Sequence, residues 1–180
     1  MWTVAGQEPI VAMLERALAE GRLHHAYLLA GPAHVGKRTL ATNLAQAVNC
    51  IGQSVPCGEC RQCSRIASGL HADVELIGLG GEGERNRAEI GIEAIRQLQG
   101  RASLHPYEGR CRVFIIEEAE YLSQEAANCL LKLLEEPPPH VLLLLLAVDP
   151  QALPATVLSR CQRLDLRPMP LTSLAAILKG

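Results

Sequence analysis

The chain has almost no charge imbalance: 17 Lys and Arg residues stand against 19 Asp and Glu, a net of −2 over 180 residues. So small a surplus gives no bulk attraction for DNA, and any contact with nucleic acid must come from local features or from partner chains. A long apolar run is also missing. The longest, Val141 to Val148, has eight residues, well short of the roughly 20 needed to span a bilayer, and reads instead as a buried central strand. No membrane role is expected. Met1 to Ile10 holds no basic segment followed by an apolar stretch, so no export signal is expected. No repeat or low-complexity tract stands out. What the chain does have is a hydrophobic content of 48%, which suits one folded domain with a sizeable core. Its seven cysteines, with no export signal, point to a reducing, cytoplasmic setting where thiols bind metal or sit in the core.

Helical spacing over Gln7 to Glu20 places Ile10, Val11, Leu14, Ala17 and Leu18 on one face, with Gly21 as the stop. Ala26 to Ala30 is a short apolar strand running into a glycine loop, and Lys37 to Asn49 regains helical periodicity through Leu40, Leu44 and Val48. Strands are expected again at Val74 to Ile77, Arg112 to Ile116, Val141 to Ala147 and Gln162 to Leu166. Helices alternate with them: one with Ile92, Ile95 and Leu98 on one side and Gly100 near its end, one over Ser123 to Glu135, and a short one near Pro154 to Ser159. The expected fold is an α/β doubly wound sheet of five parallel strands with helices on both faces. Ser123 fits a helix N-cap, and Pro137 to Pro139 force the chain out of helix. Gly78 to Arg87 reads as a mobile loop. Pro168 and Pro170 form a stiff boundary, after which Leu171 to Lys179 begins an amphipathic helix. The expectation is therefore a domain over 1–167 followed, at 168–180, by the start of another within a longer protein.

The loop between the first strand and the second helix reads Gly31-Pro-Ala-His34-Val35-Gly36-Lys37-Arg38-Thr39. Backbone N–H groups of such a turn, aimed by the following helix N-terminus, make a phosphate site, and the terminal lysine adds positive charge. The residue after that lysine is ordinarily Ser or Thr, whose hydroxyl binds Mg²⁺; here it is Arg38, with Thr39 one place late. A long cation there repels the metal. The nucleotide-binding candidates are Gly31, His34, Val35, Gly36, Lys37, Arg38 and Thr39, with ATP or ADP binding left open, magnesium disfavoured, and a chance glycine turn as the bland alternative. His34 is expected to face solvent.

A matching acidic element follows the strand Val113 to Ile116 as Glu117-Glu118. Nucleotide hydrolases commonly place Asp first, for the metal, and Glu next, to orient water, so Glu117 is one methylene too long. A solvated acidic strand end is the plain alternative. After the Val141 strand a hydrolase would place a polar residue to sense the terminal phosphate, and Ala147-Val148 offers none. Each missing positioning group typically costs about a hundredfold or more in rate, so negligible hydrolysis by the chain alone is expected.

Cys50, Cys57, Cys60 and Cys63 lie within fourteen residues. Two overlapping C-x2-C spacings bring three sulfurs within reach of one ion, Gly58 eases the turn, and Cys50 completes a tetrahedral set. Free thiols are one alternative. An iron–sulfur cluster is another, although the Cys-Pro that ends ferredoxin-type runs is missing. His71 is a substitute ligand that four cysteines make unnecessary. Four protein ligands leave no open position for chemistry, so the role is to fold a surface module over about 50–70. Cys111, Cys129 and Cys161 read as small core residues. His24 and His25 read as packing residues, and His105 and His140 as loop residues with no identifiable partner.

These residues, with Gly6-Gln7, His25-Ala26-Tyr27, Ala126-Ala127-Asn128, Leu130 to Pro138 and Ser159-Arg160-Cys161, resemble the delta-prime subunits of bacterial DNA polymerase III clamp loaders, within the AAA+ family. The gamma/tau ATPase subunits share most of these motifs but keep Ser or Thr after the loop lysine and Asp-Glu on the acidic strand. Lys37-Arg38-Thr39, Glu117 to Glu120 and Ala147-Val148 favour delta-prime. The resemblance implies a RecA-like nucleotide-binding domain, a following helical lid, and a zinc ion on the four cysteines. It also implies a subunit ring with gamma/tau and delta that opens a sliding clamp and places it on primed DNA. Arg160 then matches an arginine finger reaching the ATP of a neighbouring subunit, a role that in such enzymes contributes about 10³ to 10⁵ in rate; a plain surface ion pair is its bland reading. Two alternatives stay open: an active gamma/tau-like ATPase in which Thr39 or a water recruits Mg²⁺, and a stand-alone phosphate-loop protein of another pathway.

Overall fold

The run Val141-Leu-Leu-Leu-Leu-Leu-Ala147 has no polar position, so as a strand it needs cover on both faces. The computed structural model, which describes residues 1–79 and 89–168, provides that cover. β4 (Val141–Ala147) is buried at every residue. It lies between β1 (Ala26–Ala30) and β3 (Arg112–Ile116), with β2 (Val74–Ile77) and β5 (Gln162–Asp165) at the edges, and all pairings are parallel in the order β2-β3-β4-β1-β5.

Strand alternation sorts the core into two layers. Ala26, Leu28, Phe114, Ile116, Leu143 and Leu145 face α4 (Ile92–Ala102), α5 (Gln124–Glu135) and α6 (Ala155–Leu158), where Ile95, Leu98, Leu130 and Val157 are buried. Tyr27, Leu29, Val113, Ile115, Leu142 and Leu144 face α1 (Glu8–Ala19) and α2 (Lys37–Asn49), which contribute Leu14, Leu40 and Leu44. The first four strands keep their expected limits. β5 stops at Asp165 rather than Leu166, yet the Leu166 N–H still donates to the Ala30 carbonyl at 2.8 Å. Ser123 caps α5, its Oγ accepting the Ala126 N–H at 3.1 Å, and α4 runs past Gly100 to Ala102.

One helix was not legible. α3 (Arg61–Ala67) begins inside the cysteine stretch, and its seven residues are too short to show apolar periodicity. His105 and His140, expected to have no partner, stack at 5.0 Å between ring centroids, and His140 Nε2 lies 3.0 Å from the Leu104 carbonyl. Residues 80–88, most of the expected Gly78 to Arg87 loop, and residues 169–180, which hold the expected last helix, lie outside the described residues. Among the described residues no helix is long and apolar enough to cross a membrane.

A buried polar network joins α3 to the sheet. Asp73 accepts the backbone N–H groups of Tyr107, Glu108 and Gly109 at 2.7, 2.8 and 2.7 Å and pairs with Arg112 at 3.4 Å. Burial opposes its charge, but those three N–H donors and Arg112 outweigh it and hold the carboxyl below the usual range. Asn49 fixes the same connection from the end of α2, its Oδ1 accepting the N–H groups of Arg110 and Cys111. His71 Nδ1 accepts the Asp73 N–H at 3.1 Å, and its Nε2 meets Gln62 Oε1 of α3 at 2.8 Å.

Burial lowers the pKa of His71 below its ordinary 6.5, and burial together with His24 lowers that of His25. As pH falls through about 6.5 the unfolded chain takes up these protons first, so stability declines from that point until the folded-state values are passed. Unfolding midpoints measured between pH 7.5 and 5 are expected to fall, and His71→Gln is expected to remove part of the slope. Equal slopes for the two proteins would show that His71 does not titrate this way.

Candidate functional site

Parallel strands all end at one edge of the sheet, and in doubly wound sheets that edge is where ligands sit. The loop after β1, the acidic turn after β3 and the end of β4 meet there around a cavity of about 450 Å³ whose lining includes Gly36, Lys37, Arg38, Glu117, Glu118 and Val148. Two glycines allow the loop. Gly31 has φ +152, and a Cβ there would meet the Leu166 carbonyl oxygen at 2.5 Å; Gly36 opens α2 in the left-handed region at φ +97. His34 also has positive φ, 61°, and is exposed, as its sequence position suggested.

The sequence-predicted residues come together, but in an arrangement that the spacing alone did not show. Lys37 Nζ donates to the carbonyls of Gly31 and Pro32 at 2.6 and 2.7 Å, closing the loop on itself. Burial lowers the Lys37 pKa while Glu120 pulls it back up. Arg38 Nε lies 3.4 Å from Glu117 Oε1, so the residue standing where a metal-binding hydroxyl is usual pairs with the first acid of the acidic turn. Burial raises the Glu117 pKa, Arg38 opposes that, and Glu118 adds to it. Val35 packs against the core layer under α2. His34, Gly36 and Thr39 line both this cavity and a second one of about 310 Å³ beside Thr3, Val4 and Pro168.

Three further contributors were given no part in the site by the sequence reading, which noticed Gln7 and Glu120 only as members of motifs. Glu120, noticed only as part of a motif, accepts the Val148 N–H at 3.0 Å through Oε1, bringing a carboxylate to the end of β4; its Oε2 is buried without a partner. Asn43 of α2 accepts the N–H groups of Thr3 and Val4 at 2.7 and 3.2 Å and so lays the N-terminal segment along the loop. Gln7, buried before α1, donates through Nε2 to the Arg167 carbonyl at 2.7 Å. For Asn43 the sequence signal is an amide side chain inside an otherwise apolar helix face.

Arg160 lies elsewhere. It precedes β5, and because β5 runs parallel to β1 it sits at the edge where strands begin, opposite the glycine loop that follows β1. Its guanidinium meets Glu135 at 2.8 Å and the Thr156 carbonyl at 2.9 Å, with 35% of the side chain exposed.

The four cysteines converge with all Sγ atoms within 4.8 Å of one another, and Cys57 and Cys63 are 3.9 Å apart. An ion bound tetrahedrally at about 2.3 Å from each sulfur requires S···S spacings near about 3.8 Å, so the set fits such an ion after a small contraction. Backbone N–H groups already point at sulfur: those of Gly52 and Cys57 at Cys50, that of Cys60 at Cys57, and that of Cys63 at Cys60, at 3.2 to 3.5 Å. Burial opposes the Cys60 thiolate, but the donors around it bring its pKa to about 6, whereas burial pushes Cys63 up to about 12. His71 is engaged by Gln62 and Asp73 and is not part of the set. Cys111, Cys129 and Cys161 pack against the two core layers as expected.

Among curated proteins, a tau/gamma subunit of DNA polymerase III from Haemophilus influenzae is 38% identical over 174 residues, covering 96% of this chain and 24% of that protein. A DNA polymerase III tau subunit from Escherichia coli is 40% identical over 166 residues, covering 91% of the chain and 25% of the relative. The chain thus spans about a quarter of the length of these relatives. Solved structures share the fold: a gamma-subunit-related protein of Thermotoga maritima at TM-score 0.66 and 23% identity, covering 92% of this chain and 49% of that one, and the Thermotoga maritima RuvB branch migration motor at 0.60 and 21%, covering 97% and 49%. The names of these relatives are tau and gamma, so they support the clamp-loader resemblance without singling out delta-prime. A profile described as DNA polymerase III, delta subunit, matches residues 6–170, a span that takes in all five strands, the glycine loop after β1, the cysteine cluster and Arg160, and the chain belongs to that family.

Proposed function

We propose that this chain is the nucleotide-fold part of a clamp-loader subunit of delta-prime type, whose own pocket does not hydrolyse ATP and whose Arg160 serves the pocket of a neighbour. The observation that carries the reading is the separation of the two sites. Arg38 spans the cavity to Glu117, while Arg160 stands at the opposite edge of the sheet where only another subunit can use it. Glu135 and Thr156 hold the guanidinium near the surface, and a phosphate presented by an adjoining chain would compete for it with a bidentate, charge-assisted contact. There it would stabilise charge developing on the transferred phosphoryl group. The partners in this reading are gamma/tau and delta subunits, with the sliding clamp and primer-template DNA engaged through the assembly. Residues 1–167 form the nucleotide-binding domain in this reading. The cysteines hold a structural zinc ion, since four thiolates leave it no open position for catalysis.

The second reading, an active tau/gamma-type ATPase, is favoured by the 38–40% identity to proteins of those names. The two part in the chain's own turnover, and Arg160 tests the action on a neighbour. In the complex reconstituted with tau/gamma and delta subunits, Arg160→Ala is expected to remove turnover at the adjoining site, a loss of about 10³-fold or more there. The unfolding midpoint should be nearly unchanged, because an exposed ion pair contributes about 1 kcal/mol or less. Undiminished DNA-dependent ATP turnover in that complex would refute the role, and magnesium-dependent turnover by this chain alone would favour the second reading.

For the cysteines, metal analysis of the purified chain is expected to find about one zinc per chain, and Cys60→Ser to lower both zinc content and melting temperature. A brown protein with visible cluster absorbance, or four freely titrating thiols with no metal, would overturn the zinc assignment.

A further inference from the structure

A phosphate loop normally manages the charge of its ligand with a divalent cation, held by a hydroxyl after the loop lysine and by a carboxylate from a neighbouring strand. Both places are occupied here by groups that satisfy each other. Arg38 extends from the first turn of α2, two-thirds of its side chain in solvent, and meets Glu117, whose side chain is 23% exposed, at 3.4 Å. A magnesium ion demands octahedral oxygen ligands at about 2.0–2.1 Å. A guanidinium offers none, and it neutralises the carboxylate that would supply one.

From this juxtaposition we infer that Arg38 takes the place of the divalent cation, making the cavity a metal-independent site for a nucleoside diphosphate or triphosphate. The inference rests on the reading of this cavity as a nucleotide pocket and adds the residue that sets its metal requirement. A guanidinium is suited to the substitution. It stays charged at every physiological pH, and its planar fork matches two phosphate oxygens at once. Its exposed position, with Glu117 as its one ion-pair partner among the described residues, lets it leave for an entering phosphate, as the Lys37 ammonium can leave the carbonyls of Gly31 and Pro32. The remaining donors are the backbone N–H groups at the start of α2, a helix of 13 residues that opens at Gly36. The second cavity, which shares His34, Gly36 and Thr39 with the first and is also lined by Thr3 and Val4, gives the nucleoside end of the ligand a place.

The test is titration calorimetry of the full chain with ADP, once in excess EDTA and once in MgCl₂, with inorganic pyrophosphate as a probe of the phosphate site alone. The dissociation constants for ADP in the two buffers are expected to agree within about twofold. Arg38→Thr restores the hydroxyl and frees Glu117, and in that variant magnesium is expected to tighten ADP binding by at least about tenfold. Lys37→Ala is expected to weaken both ADP and pyrophosphate, placing the ligand at the loop rather than elsewhere. A wild-type protein that binds tenfold tighter with magnesium, or that binds in neither buffer, overturns the inference, as does an Arg38→Thr variant still indifferent to the metal. Circular dichroism of each variant shows whether it is folded, and if Arg38→Thr is not, Arg38→Gln, which keeps the side chain's bulk and removes its charge, is expected to weaken binding in EDTA; unchanged binding would overturn the inference. Failure here leaves the trans role of Arg160 standing, because that role is read from turnover in the assembled complex.

Discussion

Five consecutive leucines, Leu142 to Leu146, form the middle of a strand that has no water-facing side, and covering both of its faces is the requirement that organises everything else. It forces helices onto each side of the sheet. It also favours parallel neighbours, since each crossover helix that returns the chain to the starting edge is itself a cover. The parallel arrangement in turn gathers the ends of β1, β3 and β4 at one edge and their beginnings at the other. The glycine loop, the acidic turn and a cavity at the first edge, and Arg160 at the second, follow from that single polarity.

The two arginines illustrate what position does to one functional group. Arg38 and Arg160 each pair with a glutamate on the same chain, at 3.4 and 2.8 Å, and both pairs are partly in water. Pairs of this kind contribute little to stability, so their significance lies in what they occupy. One engages the carboxylate of the chain's own cavity. The other lies at an edge remote from that cavity. The buried contacts of Asp73, Asn49 and His71 tie the loop before β3 to α2 and α3, so the cysteine module is seated on the sheet through hydrogen bonds rather than through apolar packing alone.

Long elements with strong periodicity were legible because their apolar spacing is the same signal that packing uses. β1 to β4 and α2 appear at their expected limits. The cysteine set was legible because C-x2-C spacing is a local property of the chain, and its four sulfurs do converge. The loop itself was readable from its glycines, both of which adopt backbone geometry that a side chain would obstruct. Short or polar features were not. α3 is too short for a period to register, the His105–His140 stack joins two separate loops, and the Glu120 to Val148 contact joins the ends of two strands.

The sequence by itself determined the fold class, the existence of the loop, the acidic turn and the cysteine cluster, and the presence of Arg38 directly after the loop lysine. Each of these is written in neighbouring residues whose spacing acts over a turn or two of chain. Only the tertiary structure decided that Arg38 would meet Glu117 across the cavity, that Lys37 would close back on its own loop, and that Arg160 would stand at the far edge of the sheet. Those outcomes depend on strand order and direction, which arise when buried faces from distant segments find one another, and no local spacing carries them.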